Sequence, residues 1–305
     1  MARGFSYGGQ AVIEGVMMRG AKGIATAVRK TSDDIIVQEE RLQPWSQRYP
    51  ILGLPFLRGM FALVETMIIG LKSLSFSASA YAEEDGEELT VKEVVLTMVV
   101  AFGLAVGLFI VLPAFLIRWV QSSITSNVVL NLVEGAIKIG LFLAYVVGIS
   151  ILEDIRRVFE YHGAEHKTIN CYEAGKPLTV ENVRSFTTLH PRCGTNFVLL
   201  VLLTSILVFS FFGRPPFLQR VLTHLALLPV VSGISYELIK LAARNKLVRV
   251  LVYPGLLLQK LTTREPDDSQ IEVAIKALNT VLAQDTIQAD SVTGNEKQIR
   301  TGLVH

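Results

Sequence analysis

The chain has 305 residues, of which 50% are hydrophobic, and its mean hydropathy is +0.44. Its formal net charge is only +2, with no basic arm or block, so a nucleic-acid-binding function is not expected. Two cysteines are too few for a disulfide scaffold, which argues against the small disulfide-rich secreted class. The apolar residues are instead concentrated in long blocks, and this pattern is typical of membrane proteins.

The N-terminal segment 1–54 is predicted to be cytosolic, because "MARGFSYGGQAVIEGVMMRG" lacks the continuous apolar region of a signal peptide. Two β-branched runs in "GIATAVRKTSDDIIVQEERL" predict a β-hairpin. The glycine-rich start also carries Glu14 and Arg19, which are kept as additional candidate site residues. Its glycines either let backbone amides cradle an anion or simply form tight turns before the hairpin.

The segment 55–82 is apolar but is interrupted by Arg58, Glu65 and Lys72, which recur every seven residues. These charges therefore lie on one face of a helix. The pattern favours an amphipathic helix that lies on the membrane or packs on the helical bundle. A transmembrane span is the alternative.

Four apolar blocks are expected to form transmembrane helices, two within 94–152 and two within 197–243. The first block begins with 24 consecutive uncharged residues, and about 20 suffice to cross the hydrocarbon core. Pro215 and Pro216 separate the last two blocks, so these should form a tight helical hairpin.

Positive charge predicts the orientation of these helices. The loop 153–196 carries six Lys or Arg residues, whereas the two opposite loops carry Arg118, Arg214 and Arg220. The positive-inside rule places this loop and both termini in the cytosol. The predicted fold is a mainly α integral membrane protein: a four-helix transmembrane bundle with a small cytosolic N-terminal β-hairpin region and amphipathic or interfacial helices.

Beyond the last span, 244–284 is predicted to contain an interfacial segment and a cytosolic helix. Pro266 suits the first turn of that helix, and Asp267 and Asp268 favour its positive N-terminal end. The polar tail 285–305 is predicted to be disordered.

The stretch "YHGAEHKTINCYE" in the cytosolic loop holds the strongest chemical signal. In a helix, His162 and His166 lie one turn apart on one face, so both imidazoles can point at one ion. Glu165 borders that face and is the candidate general base. The order His-x-x-Glu-His is the inverzincin pattern, in which the histidines bind zinc. A string of this kind in a surface helix can also arise by chance.

A catalytic zinc needs a third protein ligand and one open position. Glu237 and His190 are the leading candidates, and Cys193 and Glu173 are further ones. Three of them have a simpler interpretation. Glu237 can be ion-paired with a neighbouring base, His190 can be an ordinary loop histidine, and Cys193 can be a small buried apolar residue.

Five blocks in order, "GGQAVIEGVMMRG", "YHGAEHKTINCYE", "HPRCGTNF", "SYELIK" and "LTTREPDDSQIEVAI", resemble the YqhQ-like family of bacterial integral membrane proteins. The resemblance runs from about residue 6 to 284. It implies a multi-pass protein of the bacterial cytoplasmic membrane and a predicted metal-dependent enzyme. The family's polar signatures fall here on the following positions: His162, Glu165, His166, His190, Cys193 and Glu237.

The resulting hypothesis is a membrane-embedded, metal-dependent hydrolase with its site at the cytosolic interface. Two imidazoles favour zinc or another divalent transition metal over magnesium. The expected partners are the lipid bilayer and a lipid-linked or membrane-proximal substrate, and a homo-oligomer stays open. A non-catalytic membrane protein, either a metal or ion carrier or a scaffold, is the alternative from another class.

Overall fold

The computed structural model describes residues 7–30, 34–82, 90–213, 215–245, 250 and 253–301. Most of this chain is helical. The helices are α1 (Trp45–Arg48), α2 (Leu57–Ala82), α3 (Val91–Val106), α4 (Leu112–Val120), α5 (Asn127–Ile149), α6 (Glu153–Glu173), α7 (Val180–Arg184), α8 (Gly194–Phe209), α9 (Phe217–Arg244), α10 (Tyr253–Thr262) and α11 (Asp268–Thr301).

The N-terminal region is a four-stranded antiparallel sheet in the order β1-β2-β3-β4. The strands are β1 (Gly8–Val12), β2 (Gly15–Arg19), β3 (Gly23–Arg29) and β4 (Ile35–Arg41). The predicted hairpin corresponds to β3 and β4, while part of its turn, 31–33, lies outside the described residues. The prediction of a single hairpin missed two strands, because the glycine-rich segment that precedes the hairpin forms β1 and β2. Glycine weakens the strand signal of a sequence, which hid this pair.

Both faces of the sheet are covered, because successive strand residues point to opposite sides. One face packs with α6 and α11 into a core that includes Met18, Ala25, Tyr161 and Leu278. The other face packs against α2 through a second core around Val12. The sheet therefore joins α2, α6 and α11 into one unit.

Among the described residues, five helices are long and apolar enough to cross a membrane. They are Leu57–Ala82, Lys92–Val120, Asn127–Ile149, Gly194–Phe212 and Phe217–Ala242. The last four fall within the apolar blocks 94–152 and 197–243 that the sequence predicts as spans. The segment 55–82 adds a fifth candidate by length and composition. These helices indicate an integral membrane protein.

The C-terminal helix is longer than expected. Asp267 caps it, since its Oδ1 accepts a hydrogen bond of 2.9 Å from the Gln270 backbone N–H. The helix is described as far as Thr301, within the segment 285–305 for which disorder is predicted, and 302–305 lie outside the described residues. Asp285 accepts hydrogen bonds from the backbone N–H groups of Ala21 and Lys22, and these bonds hold the helix against the β2–β3 turn.

Candidate metal centre

Helix α6 brings the two histidines of the predicted motif together. The ring centroids of His162 and His166 are 4.4 Å apart. Between them, Gly163 lies directly against the backbone that precedes α11. A Cβ atom at this position would lie 2.0 Å from the carbonyl oxygen of Arg264. The glycine therefore permits a close approach that a side chain would block, despite its low helix propensity.

Backbone carbonyls set the tautomer of both rings. Nδ1 of His162 lies 2.8 Å from the carbonyl oxygen of Thr262, and Nδ1 of His166 lies 2.5 Å from that of Thr188. Since a carbonyl oxygen can only accept, each Nδ1 carries the proton and donates. In a neutral ring held in this way, Nε2 carries a lone pair that can bind a metal. Metal-binding histidines are typically oriented in this way, by a hydrogen bond from the other ring nitrogen.

The third member of the group is Cys193, which caps the N-terminus of α8. Its Sγ lies 3.1 Å from Nε2 of His162. One ligand atom from each of His162, His166 and Cys193 falls within 4.8 Å of the others. Neighbouring ligand atoms around a tetrahedral zinc are about 3.5 Å apart, as its bond lengths require. These three residues could thus hold a metal ion after small adjustments.

The electrostatics of the group suit metal binding. Burial, with a smaller effect from the neighbouring His162, lowers the pKa of His166 to about 2, so the ring is neutral at physiological pH. Its buried Nε2 has no hydrogen-bond partner among the described residues. Such an orphaned acceptor is costly unless something binds it. Burial also raises the pKa of the Cys193 thiol, so binding a metal there would release a proton.

Glu165 adjoins this group and is almost completely buried, with 5% of its surface exposed. Burial is the main cause that raises its pKa to about 7, and Cys193 adds to the effect. His162 and a hydrogen bond from the Gly9 backbone oppose the rise. A Cβ atom on Gly9 would lie 3.2 Å from Cδ of Glu165, so strand β1 forms a wall of the site. A carboxyl with this pKa can accept and return a proton near neutral pH.

His190 lies next to His166 but is not one of the three residues whose ligand atoms converge. Its ring centroid is 5.6 Å from that of His166, and burial lowers its pKa to about 4. Its Nε2 lies 3.8 Å from Oε2 of Glu173, which also pairs with Arg192. Both predicted candidates, His190 and Glu173, are thus near the histidine pair but outside the group whose ligand atoms converge.

The remaining predicted residues are elsewhere. Glu237 forms a bidentate pair with Arg58, at 2.7 Å to Nε and 2.5 Å to Nη2, and also accepts from the Phe56 backbone. The structure therefore does not bring it to the histidines. Its base comes from α2, not from its own helix, so local spacing could not reveal the partner.

Glu14 and Arg19 also have structural partners. Glu14 accepts two hydrogen bonds of 2.5 Å from Arg157 and lies within reach of the Tyr161 hydroxyl. Arg19 pairs with Glu65 at 3.0 Å. The Glu14–Arg157 contact links the sheet to α6, and the Arg19–Glu65 contact links it to α2.

The sequence interpretation missed Gln259, which holds the loop that carries His190. Its fully buried amide accepts from the His190 backbone N–H at 2.9 Å and donates to the His190 carbonyl at 2.8 Å. It also donates to Asn196 at 3.2 Å. A polar residue inside "LLLQKL" was the available signal, although the segment otherwise resembles an interfacial stretch.

Comparison with known proteins supports the resemblance noted from the five sequence blocks. A family model described as "Protein of unknown function (DUF1385)" matches residues 54–284. "Uncharacterized protein YqhQ" of Bacillus subtilis (strain 168) is 36% identical over 293 residues, which cover 91% of this chain and 92% of the relative. No solved structure matches. The resemblance to the YqhQ-like family is therefore confirmed.

Proposed function

Because the chain belongs to the DUF1385 family, whose description states no activity, we propose a function from its own residues: a metal-dependent hydrolase at the membrane interface. One observation carries the proposal. Ligand atoms of two imidazoles and one thiol lie within 4.8 Å of one another, while backbone carbonyls hold both Nδ1 atoms. His162, His166 and Cys193 are the proposed ligands.

The donor set favours zinc. Two imidazoles and a thiolate are ligands that zinc accepts, whereas magnesium prefers oxygen. Three protein ligands are typical of catalytic zinc, and four are typical of structural zinc. A bound zinc would supply a Lewis acid at this point.

Glu165 is the proposed general base. It is buried beside the ligands, and its pKa of about 7 allows it to take a proton from an attacking water and return it to a leaving group. Strand β1 excludes solvent on the side of Gly9. His190 is proposed to lie beside the bound substrate rather than to bind the ion.

We further propose that four helices span the membrane and that α2 does not. Strands β1 to β4 contact α6 and α11 directly, for instance through Glu14 and Arg157. If the remaining four spans form two helical hairpins, 90–149 and 194–244, each hairpin enters and leaves the membrane on the same side. The segments before, between and after the two hairpins then all lie on that side of the membrane. A fifth span through α2 would place the sheet across the membrane from the helices that it contacts.

The surface of α2 supports this topology. The three charges that the sequence places on one face all pair with protein: Arg58 with Glu237, Glu65 with Arg19, and Lys72 with Glu40. The exposed apolar residues lie elsewhere on the helix: Val64, Met67, Ile68, Leu71 and Leu74. A helix with its charges on one face and exposed apolar side chains on another is typical of helices that lie on the membrane surface.

The positive-inside rule makes the shared side cytosolic, in the cytoplasmic membrane of a bacterium. Cys193 directly precedes the span that begins at Gly194, so the metal centre would lie at the membrane surface. A lipid-linked molecule or a membrane-proximal bond in a protein is the proposed substrate class.

Metal content tests the centre directly. The full-length protein, purified in detergent, should contain stoichiometric zinc, and the variant carrying both His162→Ala and His166→Ala should contain almost none. Equal metal in both proteins would remove the proposal.

Two glutamate variants of α6 test the catalytic role. Glu165→Gln should retain the metal and lose hydrolysis of membrane-linked test esters and peptides. Glu160→Gln is the matched control, because Glu160 contacts Gln270 and not the metal ligands. A Glu165→Gln variant with full activity would favour a non-catalytic carrier or scaffold.

A further inference from the structure

Helix α10 contacts two parts of the proposed metal centre that belong to different elements. At its C-terminal end, the Thr262 carbonyl oxygen accepts the hydrogen bond from Nδ1 of His162. The last carbonyl groups of a helix lack partners within it, so this oxygen is available. One turn earlier, the side chain of Gln259 binds the segment that carries Cys193. The last turn of α10 therefore serves two proposed ligands.

Gln259 is fully buried, and both polar ends of its amide bind the segment 190–196. Its Oε1 accepts a hydrogen bond of 2.9 Å from the His190 backbone N–H, and its Nε2 donates to the His190 carbonyl at 2.8 Å. The same Nε2 donates to Oδ1 of Asn196 at 3.2 Å. Gln259 thereby holds both ends of a segment whose middle residue is Cys193.

Asn196 extends this hold to the backbone around Cys193. Its Nδ2 donates to the Pro191 carbonyl at 2.7 Å, and its backbone N–H donates to the Cys193 carbonyl at 3.1 Å. Asn196 is itself packed against α10, because a Cβ atom on Gly255 would lie 2.2 Å from Oδ1 of Asn196. Helix α10 therefore restricts the backbone around Cys193 through both Gln259 and Gly255.

We propose that Gln259 is a positioning residue for the metal centre, where it holds the thiol of Cys193 against Nε2 of His162. This role rests on the proposed function, since it concerns the same three ligands. An apolar side chain could fill the space between α8 and α10, whereas the amide adds directional hydrogen bonds to the ligand-bearing segment. Groups that orient metal ligands in this way typically change metal affinity by about 10–100-fold.

Two matched glutamine variants test this role. Gln259→Met keeps a side chain of similar length and removes the three hydrogen bonds. Gln270→Met is the control, because Gln270 is also fully buried but its amide bonds Asp267 and Glu160. Both variants remove the hydrogen bonds of a buried amide, so both should lower Tm. Only a role in positioning Cys193 predicts that the two variants differ in metal binding.

Cobalt titration of the full-length protein in detergent provides the first measurement. Gln259→Met should bind cobalt about tenfold or more weakly than the wild type, and its thiolate charge-transfer band should be weaker. Gln270→Met should match the wild type in both respects. Wild-type affinity and spectrum in Gln259→Met would overturn the proposal, and so would an equal loss in Gln270→Met.

Alkylation of the metal-free protein by iodoacetamide provides the second measurement, followed at Cys193 by mass spectrometry. Cys193 is buried, so its thiol should react slowly in the wild type. The rate should rise several-fold in Gln259→Met, because the segment 190–196 is no longer held, and should not change in Gln270→Met. Equal rates in the two variants would contradict the positioning of Cys193 by Gln259.

The two proposals fail in different ways. A wild type that binds no cobalt would remove the metal centre and the role of Gln259 with it. Cobalt binding that is the same in the wild type and Gln259→Met would overturn only the role of Gln259.

A second variant covers the case in which Gln259→Met does not fold. Gln259→Glu keeps an acceptor for the His190 N–H and loses at least one of the two donated hydrogen bonds. It should bind cobalt several-fold more weakly than the wild type, and wild-type affinity in this variant would equally contradict the assigned role.

Discussion

The Sγ atom of Cys193 lies 3.1 Å from Nε2 of His162, although 31 positions separate the two residues. This contact joins helix α6 to the N-terminus of helix α8. It also adds a third candidate ligand to the two-histidine motif that the sequence displays.

Cys193→Ser should therefore weaken metal affinity by about 100-fold or more, because even outer partners of a metal site change affinity by about 10–100-fold. Cobalt substitution provides the measurement, since a thiolate ligand gives a charge-transfer band that a hydroxyl does not. Cys171→Ser is the control, because Cys171 is also buried but lies on α6, where its Sγ donates to the Pro177 carbonyl oxygen at 3.6 Å. An intact band in Cys193→Ser would exclude the thiolate.

Gly163→Ala should destabilise the protein by about 1–3 kcal/mol, as overpacking of a close contact does. The added methyl group would meet the Arg264 carbonyl oxygen and push α6 away from the segment that leads to α11. Gly140→Ala on α5 is the control: nothing lies within 4 Å of its Cβ position, so its effect should stay within about 1 kcal/mol. Similar shifts of Tm in both variants would refute the close approach.

His190 should make the metal-free protein sensitive to mild acid. Burial lowers its pKa to about 4 in the folded state, against about 6.5 in the unfolded chain. The unfolded state therefore binds the additional proton first, and stability is lost as the pH falls from about 6.5 to 4. The full loss is about 3 kcal/mol by linkage, reduced by any attraction to Glu173.

Denaturant unfolding of wild type and His190→Gln at several pH values measures this effect. The other histidines are common to both proteins, so their titration cancels in the difference. The stability of the wild type relative to His190→Gln should rise by about 3 kcal/mol between pH 4 and pH 6.5. A constant difference across this range would contradict a buried neutral His190.

Four spans place the N-terminus and the C-terminus on the same side of the membrane. Reporter domains fused to either end should both be active in the cytosol, and reporters placed after residue 122 or residue 213 should not be. If the two terminal fusions report opposite sides, α2 crosses the membrane and the proposed topology fails.

Local sequence patterns were sufficient for the pairing of His162 and His166, because four-residue spacing on a helix fixes their shared face. The same applies to the apolar blocks, whose length alone indicates a bilayer. Glu237 shows where this reasoning stops. An acid within a span needs a partner, but the choice between an ion and Arg58 depends on how two helices distant in sequence pack.

The carbonyl groups that orient the imidazoles have no sequence signature at all. Any residue supplies a carbonyl oxygen, so Thr188 and Thr262 could not have been selected. Cys193 was considered, but its role depends on the capping geometry at the start of α8. Gly9 was equally hidden, since only the docked sheet reveals its proximity to Glu165.

The hydrogen bond from His162 to Thr262 links residues that are 100 positions apart. Both apolar hairpin helices α8 and α9 lie between them in the chain. During translation, the imidazole can acquire its final orientation only after these helices have left the ribosome and α10 has docked. If the proposed centre binds an ion, that ion would be loaded only when synthesis is nearly finished.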